Sequence, residues 1–298
     1  MTMAAGVGLA GAANLAGDAP RKVTAGVREL EGLLGESVSK STERMPALFV
    51  GHGSPMNAIE TNEYSTTWRK IGAELPHPRA ILCISAHWLT RGDIRITAME
   101  HPKTIHDFGG FPQELFDAQY PAPGSPELAS ETQKIAQPKH ILLDDEWGFD
   151  HGTWSVLKQM YPNADIPVVQ LSLDYQLPPA LHLEFAKSLA GLREKGVMII
   201  GSGNVVHNLR AIKWDGGPNY PWADEFDKWV EKNLVDHDDN ALAGFQKLGD
   251  IAKLAHPTYD HYLPLLYSIA VRNPKDEMRF FNEGVSMGSV SMRSVIYQ

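Results

Sequence analysis

Imidazole is the side chain that, near neutral pH, can both bind a divalent metal and carry a proton. Four of the chain's 12 histidines stand just past short apolar runs. They are His52 in ALFVGHGSP, His87 in ILCISAHW, His207 in VMIIGSGNVVH and His261 in HPTYDHYLP. Three of those runs read as buried strands that release a histidine at, or a turn beyond, the carboxyl end. Parallel α/β sheets build their sites along that edge. Imidazoles converging there would form a mononuclear metal centre. His52 lies between two glycines, where backbone can approach a ligand closely. His87 follows its apolar run with no intervening charge. Gly201 and Gly203 suggest a tight turn, with His207 in the first turn of a helix beyond it. The spacings are long, and no compact signature such as H-E-x-x-H is present. Taken singly, each histidine is more often a surface or hydrogen-bonded residue than a ligand.

A fifth histidine, His151, stands in WGFDHGTW. Asp150 either orients this imidazole for proton transfer or caps a helix over Gly152–Tyr161, and the sequence leaves both open. GSGNVV begins as G-x-G but lacks the third glycine of the dinucleotide fingerprint, which counts against nucleotide binding. Cys83, the single cysteine, reads as a buried strand residue rather than a catalytic thiol. Alone, it can form no internal disulfide and does not constrain the redox compartment.

The elements that must position these residues follow from hydrophobic pattern. The 298 residues, 43% of them hydrophobic, can bury one substantial core. Strands are expected at MPALFVGH, RAILCISAHW, DIRITAME, KHILLDD, IPVVQLSL, VMIIGSG and VSMRSVIY. Helices are expected at PELASETQKIA, GTWSVLKQMY, PPALHLEFAKSLAGLREKG, YLPLLYSIAV and most of Trp222–Leu248. This alternation predicts an α/β fold: one domain with a mostly parallel central sheet flanked by helices on both faces. The Pro-, Gly- and aromatic-rich segment from Glu100 to Ser125 is too irregular for a helix and reads as an ordered loop walling a pocket. Residues 1–44, Ala- and Gly-rich at the start, are expected to be an extension, disordered or a remnant export signal, ahead of the folded domain at 45–298. That predicts a cytoplasmic protein, or a periplasmic one if an upstream signal is missing. A net charge of -9 argues against nucleic acid and against an anionic membrane surface. No stretch approaches the ~18 apolar residues of a membrane span. Oligomeric state is left open.

GHGSPMNA, SAHW, TIHDFGGFP, YPAPGSP, WGFDHGTW, SGNVVHNLR, YPWA, HYLPLLY and MGSVSMRS closely resemble the 4,5-DOPA extradiol dioxygenase-like proteins of the class III (LigB-type) extradiol ring-cleavage superfamily. The resemblance runs from about Met45 to the C-terminus. It implies a non-haem metal enzyme that opens the ring of a small, DOPA-like catechol with dioxygen to a semialdehyde. His52 and His87 then bind the metal, with His261 as third ligand. His207 touches the metal and is the acid–base residue. His151 is a second catalytic histidine. His106 is placed at the substrate, in a ring pocket with Phe108 and Phe111, although those phenylalanines equally suit packing the loop. His256 lies near the third ligand without being needed as one.

One departure bears on the metal. The broader superfamily uses a glutamate as third ligand, the two-His-one-carboxylate set suited to Fe(II) and dioxygen. Here His261 takes that position, with Asp260 or Asp93 as alternative carboxylates, and an all-imidazole set also suits zinc. The expected cofactor is therefore one Fe2+ or Zn2+. The rival readings are a zinc hydrolase, with His151 or His207 as base to a metal-bound water, and a non-catalytic metal-binding protein.

Overall fold

The computed structural model describes residues 44–136 and 141–298. Apart from Arg44, the expected N-terminal extension lies outside the described residues, as do Lys139 and His140 of KHILLDD. Twelve strands are described, in chain order β1 (Ala47–Gly51), β2 (Ala80–Thr90), β3 (Ile94–Thr97), β4 (Lys103–Thr104), β5 (Ile141–Asp144), β6 (Gly148–Phe149), β7 (Val168–Asp174), β8 (Val197–Gly203), β9 (Met278–Phe281), β10 (Val285–Ser286), β11 (Val290–Ser291) and β12 (Ser294–Tyr297). Eight of them form one sheet in the order β5-β3-β7-β2-β8-β1-β12-β9. The central four, β7-β2-β8-β1, run parallel. β12 and β9 add antiparallel strands at one side, and at the other β3 meets β7 antiparallel.

The central strands are apolar along their whole length because both faces are covered. Alternate residues of one strand enter opposite cores. On β2, Leu82 and Ile84 join one cluster and Ile81 and Cys83 the other; on β8, Val197 and Ile199 oppose Met198 and Ile200. Leu128, Leu183, Phe226 and Leu265 bring helices Pro126–Ile135, Pro179–Lys187, Pro221–Val235 and Leu263–Ala270 to the first face. Trp68 and Trp154 bring helices Glu63–Glu74 and His151–Met160 to the second. The expected single α/β domain with a mostly parallel sheet is what forms. None of the helices described is long and apolar enough to cross a membrane.

Two expected elements come out divided. The helix expected over PPALHLEFAKSLAGLREKG ends at Lys187 and continues as a 3-10 turn, Ala190–Lys195, closed by Gly196 at φ 78°. VSMRSVIY, expected as one strand, breaks into β11 and β12. At the break the buried guanidinium of Arg293 turns to Asp227, at 2.7 Å, and to Glu231 and Glu283. The Glu100–Ser125 segment is ordered but, contrary to expectation, carries a short helix, Gln113–Asp117, which buries Leu115. β4 pairs with β6, and the Trp154 indole donates to the Ile105 carbonyl.

Candidate functional site

The carboxyl ends of β1, β2 and β8 lie side by side, with Gly51 level with Gly203 and Ser85 level with Ser202. His52 leaves β1 at once, its backbone N–H donating to the Gly203 carbonyl at 3.0 Å. His87 sits where the pairing of β2 with β7 slips: Ile84 faces Leu171, but Leu89 faces Leu173. The additional residues on β2 form a bulge, a feature frequent beside active sites because it re-aims a side chain. His207 is not in a helix, contrary to expectation. Its N–H donates to the Ala255 carbonyl and it bridges Val290 in extended form, with a 3-10 turn starting only at Leu209. Gly201 and Gly203 make no turn either; both belong to β8. They are glycines because a Cβ at Gly203 would overlap the His261 carbonyl and one at Gly201 the Pro264 carbonyl. That close approach carries His261 onto the sheet edge.

Five of the predicted histidines are thereby brought together. The ring of His52 lies 5.0 Å from His87, 5.5 Å from His151 and 5.2 Å from His261. His87 and His151 are 3.9 Å apart, and His207 stacks on His261 at 3.5 Å and 6°. One nitrogen each from His52, His87 and His261 fall within 4.8 Å of one another, and so do donors of His207, Asp260 and His261.

The partners of Nδ1 decide which nitrogens face the centre. Ser202 donates its hydroxyl to the Gly152 carbonyl at 2.5 Å, so at the 3.0 Å contact with His52 it accepts from Nδ1–H. His261 gives its Nδ1 proton to the Asp260 carboxylate. In both rings Nε2 is left as a lone pair. His261 Nε2 is fully buried without a hydrogen-bond partner. His87 Nε2 approaches His52 Nε2 to 3.2 Å, close to the roughly 3.3 Å between nitrogens held at about 2.0–2.1 Å around a tetrahedral ion. A buried lone pair with nothing to accept is costly, and a cation among these nitrogens removes that cost. The donor set fits a mononuclear divalent metal.

Electrostatics keep the donors neutral. Burial, then the neighbouring imidazoles, pushes His52 and His261 well below the usual histidine value. Burial does the same to His87, against the pull of Asp107. His207 is lowered to about 4, chiefly by burial. Neutral imidazole is the form that binds metal and accepts protons.

The remaining candidates fall as follows. Asp150 caps the helix, accepting from Thr153 N–H, and bonds Ser85 and Gln170; it does not orient His151. That task falls to Asp107, which the sequence reading passed over. Its Oδ2 accepts from His151 Nδ1 at 3.0 Å and lies 3.4 Å from His87 Nδ1, and its Oδ1 accepts from the His151 N–H at 2.9 Å. The available signal was an acid beside a histidine in the Gly-rich TIHDFGG. Burial raises the Asp107 carboxyl, but the hydrogen bonds from the His151 ring and backbone N–H and the nearness of the His151 and His87 rings outweigh it and hold it at about 2. His106 gives Nε2 to the Ala118 carbonyl and packs on Phe108, whose edge meets His151 at 5.6 Å. Asp93 pairs with Arg95, away from the cluster. His256 Nε2 bonds the Val205 carbonyl. Cys83 is buried, its thiol pushed up to about 12 by burial.

Residues 45–277 match the family described as the catalytic LigB subunit of aromatic ring-opening dioxygenase. Over 265 residues the chain is 50% identical to the 4,5-DOPA dioxygenase extradiol of Escherichia coli (strain K12), covering 87% of this chain and 97% of that one. A Beta vulgaris protein of the same name is 38% identical over 240 residues, 77% of this chain and 88% of the relative. Among solved structures, an uncharacterized protein from Escherichia coli K12 superimposes with a TM-score of 0.75 at 46% identity, over 86% of this chain and all of that one.

Proposed function

Since the chain belongs to the LigB family of aromatic ring-opening dioxygenases, we propose that it cleaves a DOPA-like catechol with dioxygen at one metal held by His52, His87 and His261. The observation that carries the reading is the convergence of imidazole nitrogens, with Ser202 and Asp260 anchoring the far side of His52 and His261. The name shared by the bacterial and plant relatives supports DOPA as the substrate class. Fe(II), when bound, supplies the one-electron chemistry that lets dioxygen react with an aromatic ring. The chain's own residues handle protons and shape. His207, stacked on His261 and kept neutral by burial, accepts a phenolic proton as the catechol docks. His151, its Nδ1 tied to Asp107, keeps Nε2 to hydrogen-bond the substrate or dioxygen. Phe108 forms the ring wall beside His151, and His106 backs it from the loop, its Nε2 committed to Ala118.

The test is protein purified without air, loaded with Fe(II) and mixed with dihydroxyphenylalanine. A yellow ring-opened product with matching oxygen uptake is expected. Neither colour nor oxygen uptake across a panel of catechols would sink the reading. One observation favours zinc hydrolysis as the second reading. The carboxylates at the cluster, Asp107 and Asp260, bond imidazole Nδ1 atoms and leave an imidazole donor set suited to zinc. Turnover under strict anoxia would identify a hydrolase.

A further inference from the structure

A single carboxylate, Asp107, faces two imidazoles of the cluster. Its Oδ2 is the acceptor for His151 Nδ1 at 3.0 Å and stands 3.4 Å from His87 Nδ1. Its Oδ1 takes the backbone N–H of His151 at 2.9 Å. The carboxylate therefore has two bonds to the first residue of one helix and leans on the histidine of the β2 bulge. It belongs to neither element. It arrives on the Glu100–Ser125 loop, docked by the β4–β6 pairing, by the Ile105 N–H to the Phe149 carbonyl at 2.7 Å and by Trp154 Nε1 to the Ile105 carbonyl at 2.9 Å.

We infer that Asp107 is a positioning residue that sets the tautomer of both His87 and His151, so that the docked loop prepares metal binding and proton transfer together. The inference rests on the metal-site reading above and extends it to a residue outside the donor set. The physical reason is the ring's two nitrogens. A neutral imidazole has one N–H, and whichever nitrogen bonds a carboxylate keeps the proton. A carboxylate at Nδ1 frees Nε2 as a lone pair. For His151 that lone pair is the working atom. For His87 there is a competing arrangement, because an Nε2 proton could instead be donated to His52 Nε2 across the 3.2 Å contact. Asp107 at Nδ1 biases His87 away from that closed pair and toward the form that binds metal. At 3.4 Å the carboxylate acts on the His87 Nδ1–H through its charge; where such a carboxylate is hydrogen-bonded to a ligand histidine, its loss typically costs 10- to 100-fold in metal affinity or activity.

The test separates the two imidazoles. In metal-free protein labelled with 15N-histidine, His151 is expected to carry its proton on Nδ1; its resonances are identified by their loss in His151→Ala. In Asp107→Ala the proton should move to Nε2. Zinc alone, titrated against a chromophoric chelator, reads His87: affinity should fall about 10- to 100-fold in Asp107→Ala. Asp107→Asn, near-isosteric but uncharged, should also bind zinc more weakly, and it decides the matter if the alanine variant does not fold. His151 keeping its Nδ1 proton in Asp107→Ala, or zinc affinity within threefold of the unaltered protein in both variants, overturns the inference. Neither readout involves catechol or oxygen, so a failed ring-cleavage assay leaves the result standing, and the reverse holds too.

Discussion

His207 and His52 are identical side chains held in different surroundings. His52 is buried against Ser202, its Nδ1 bonded to the hydroxyl and its Nε2 3.2 Å from His87 Nε2. His207 reaches the cluster by stacking on a neighbour. His207→Ala should lower turnover about 10²- to 10⁴-fold, the range of a lost general acid or base, while most bound metal stays. His52→Ala should lose the metal itself. Metal content beside kcat in the two variants checks this; catechol cleavage surviving in His207→Ala would remove the proton role. His52, His87, His151, His207 and His261 were all legible as candidates because each carries a distinctive flank. Asp107 was not, because an exposed-looking acid in a loop gains meaning only from the rings it meets.

Among elements, the β8 glycines and the break between β11 and β12 do the positioning. Gly203 admits the His261 carbonyl, which Asn204 N–H bonds at 2.9 Å. Gly203→Ala forces those backbones apart and should weaken zinc binding at least tenfold with strand and helix content unchanged; circular dichroism alongside a zinc titration measures both, and unaltered affinity would count against the argument. The break works through Asp227. It binds Arg293 and accepts from Ser291 Oγ at 2.5 Å, next to Val290, the residue that bridges His207. Breaking a buried ion pair costs about 3–5 kcal/mol. At roughly 2–4 °C per kcal/mol for a domain of this size, Asp227→Ala should lower Tm by about 10 °C, and calorimetry reads it directly. The sequence pattern located β8 and the C-terminal strand segment. It mistook packing glycines for a turn, since an absent Cβ looks the same whether φ or a neighbour demands it.

At the scale of the molecule, the buried imidazoles make stability depend on pH. His52, His87, His207, His256 and His261 are all lowered by burial, His207 and His256 to about 4. Below about pH 6.5 the unfolded chain takes up protons that the folded chain refuses, so stability falls as pH drops from there toward 4. Asp150, pushed up to about 6 by burial, opposes this. It holds a proton in the folded state alone between about 6 and 4, so its contribution strengthens folding as pH falls through that window. Five imidazoles outweigh one carboxyl. Chelator-treated protein should therefore melt at progressively lower temperature from pH 7 to pH 4.5, and an unchanged Tm would contradict the burial argument. Adding zinc at 100 times its Kd should restore about 2.7 kcal/mol at neutral pH, less in acid as protons compete for the same nitrogens.

Local pattern determined the strand–helix alternation, the α/β class and the histidines worth following, because apolar periodicity and the flanks of a strand end are written in consecutive residues. The family resemblance added an ordering of roles among them. Tertiary structure alone decided which carboxylate serves which ring: Asp150 to its own helix, Asp107 to His151 and His87, Asp260 to its neighbour His261. The Asp150 cap and the adjacent pair at 260 and 261 are local, but Asp107 meets rings far from it along the chain, His151 and His87. A hydrogen bond over about 3 Å depends on where the chain returns, and no spacing along the sequence encodes that distance.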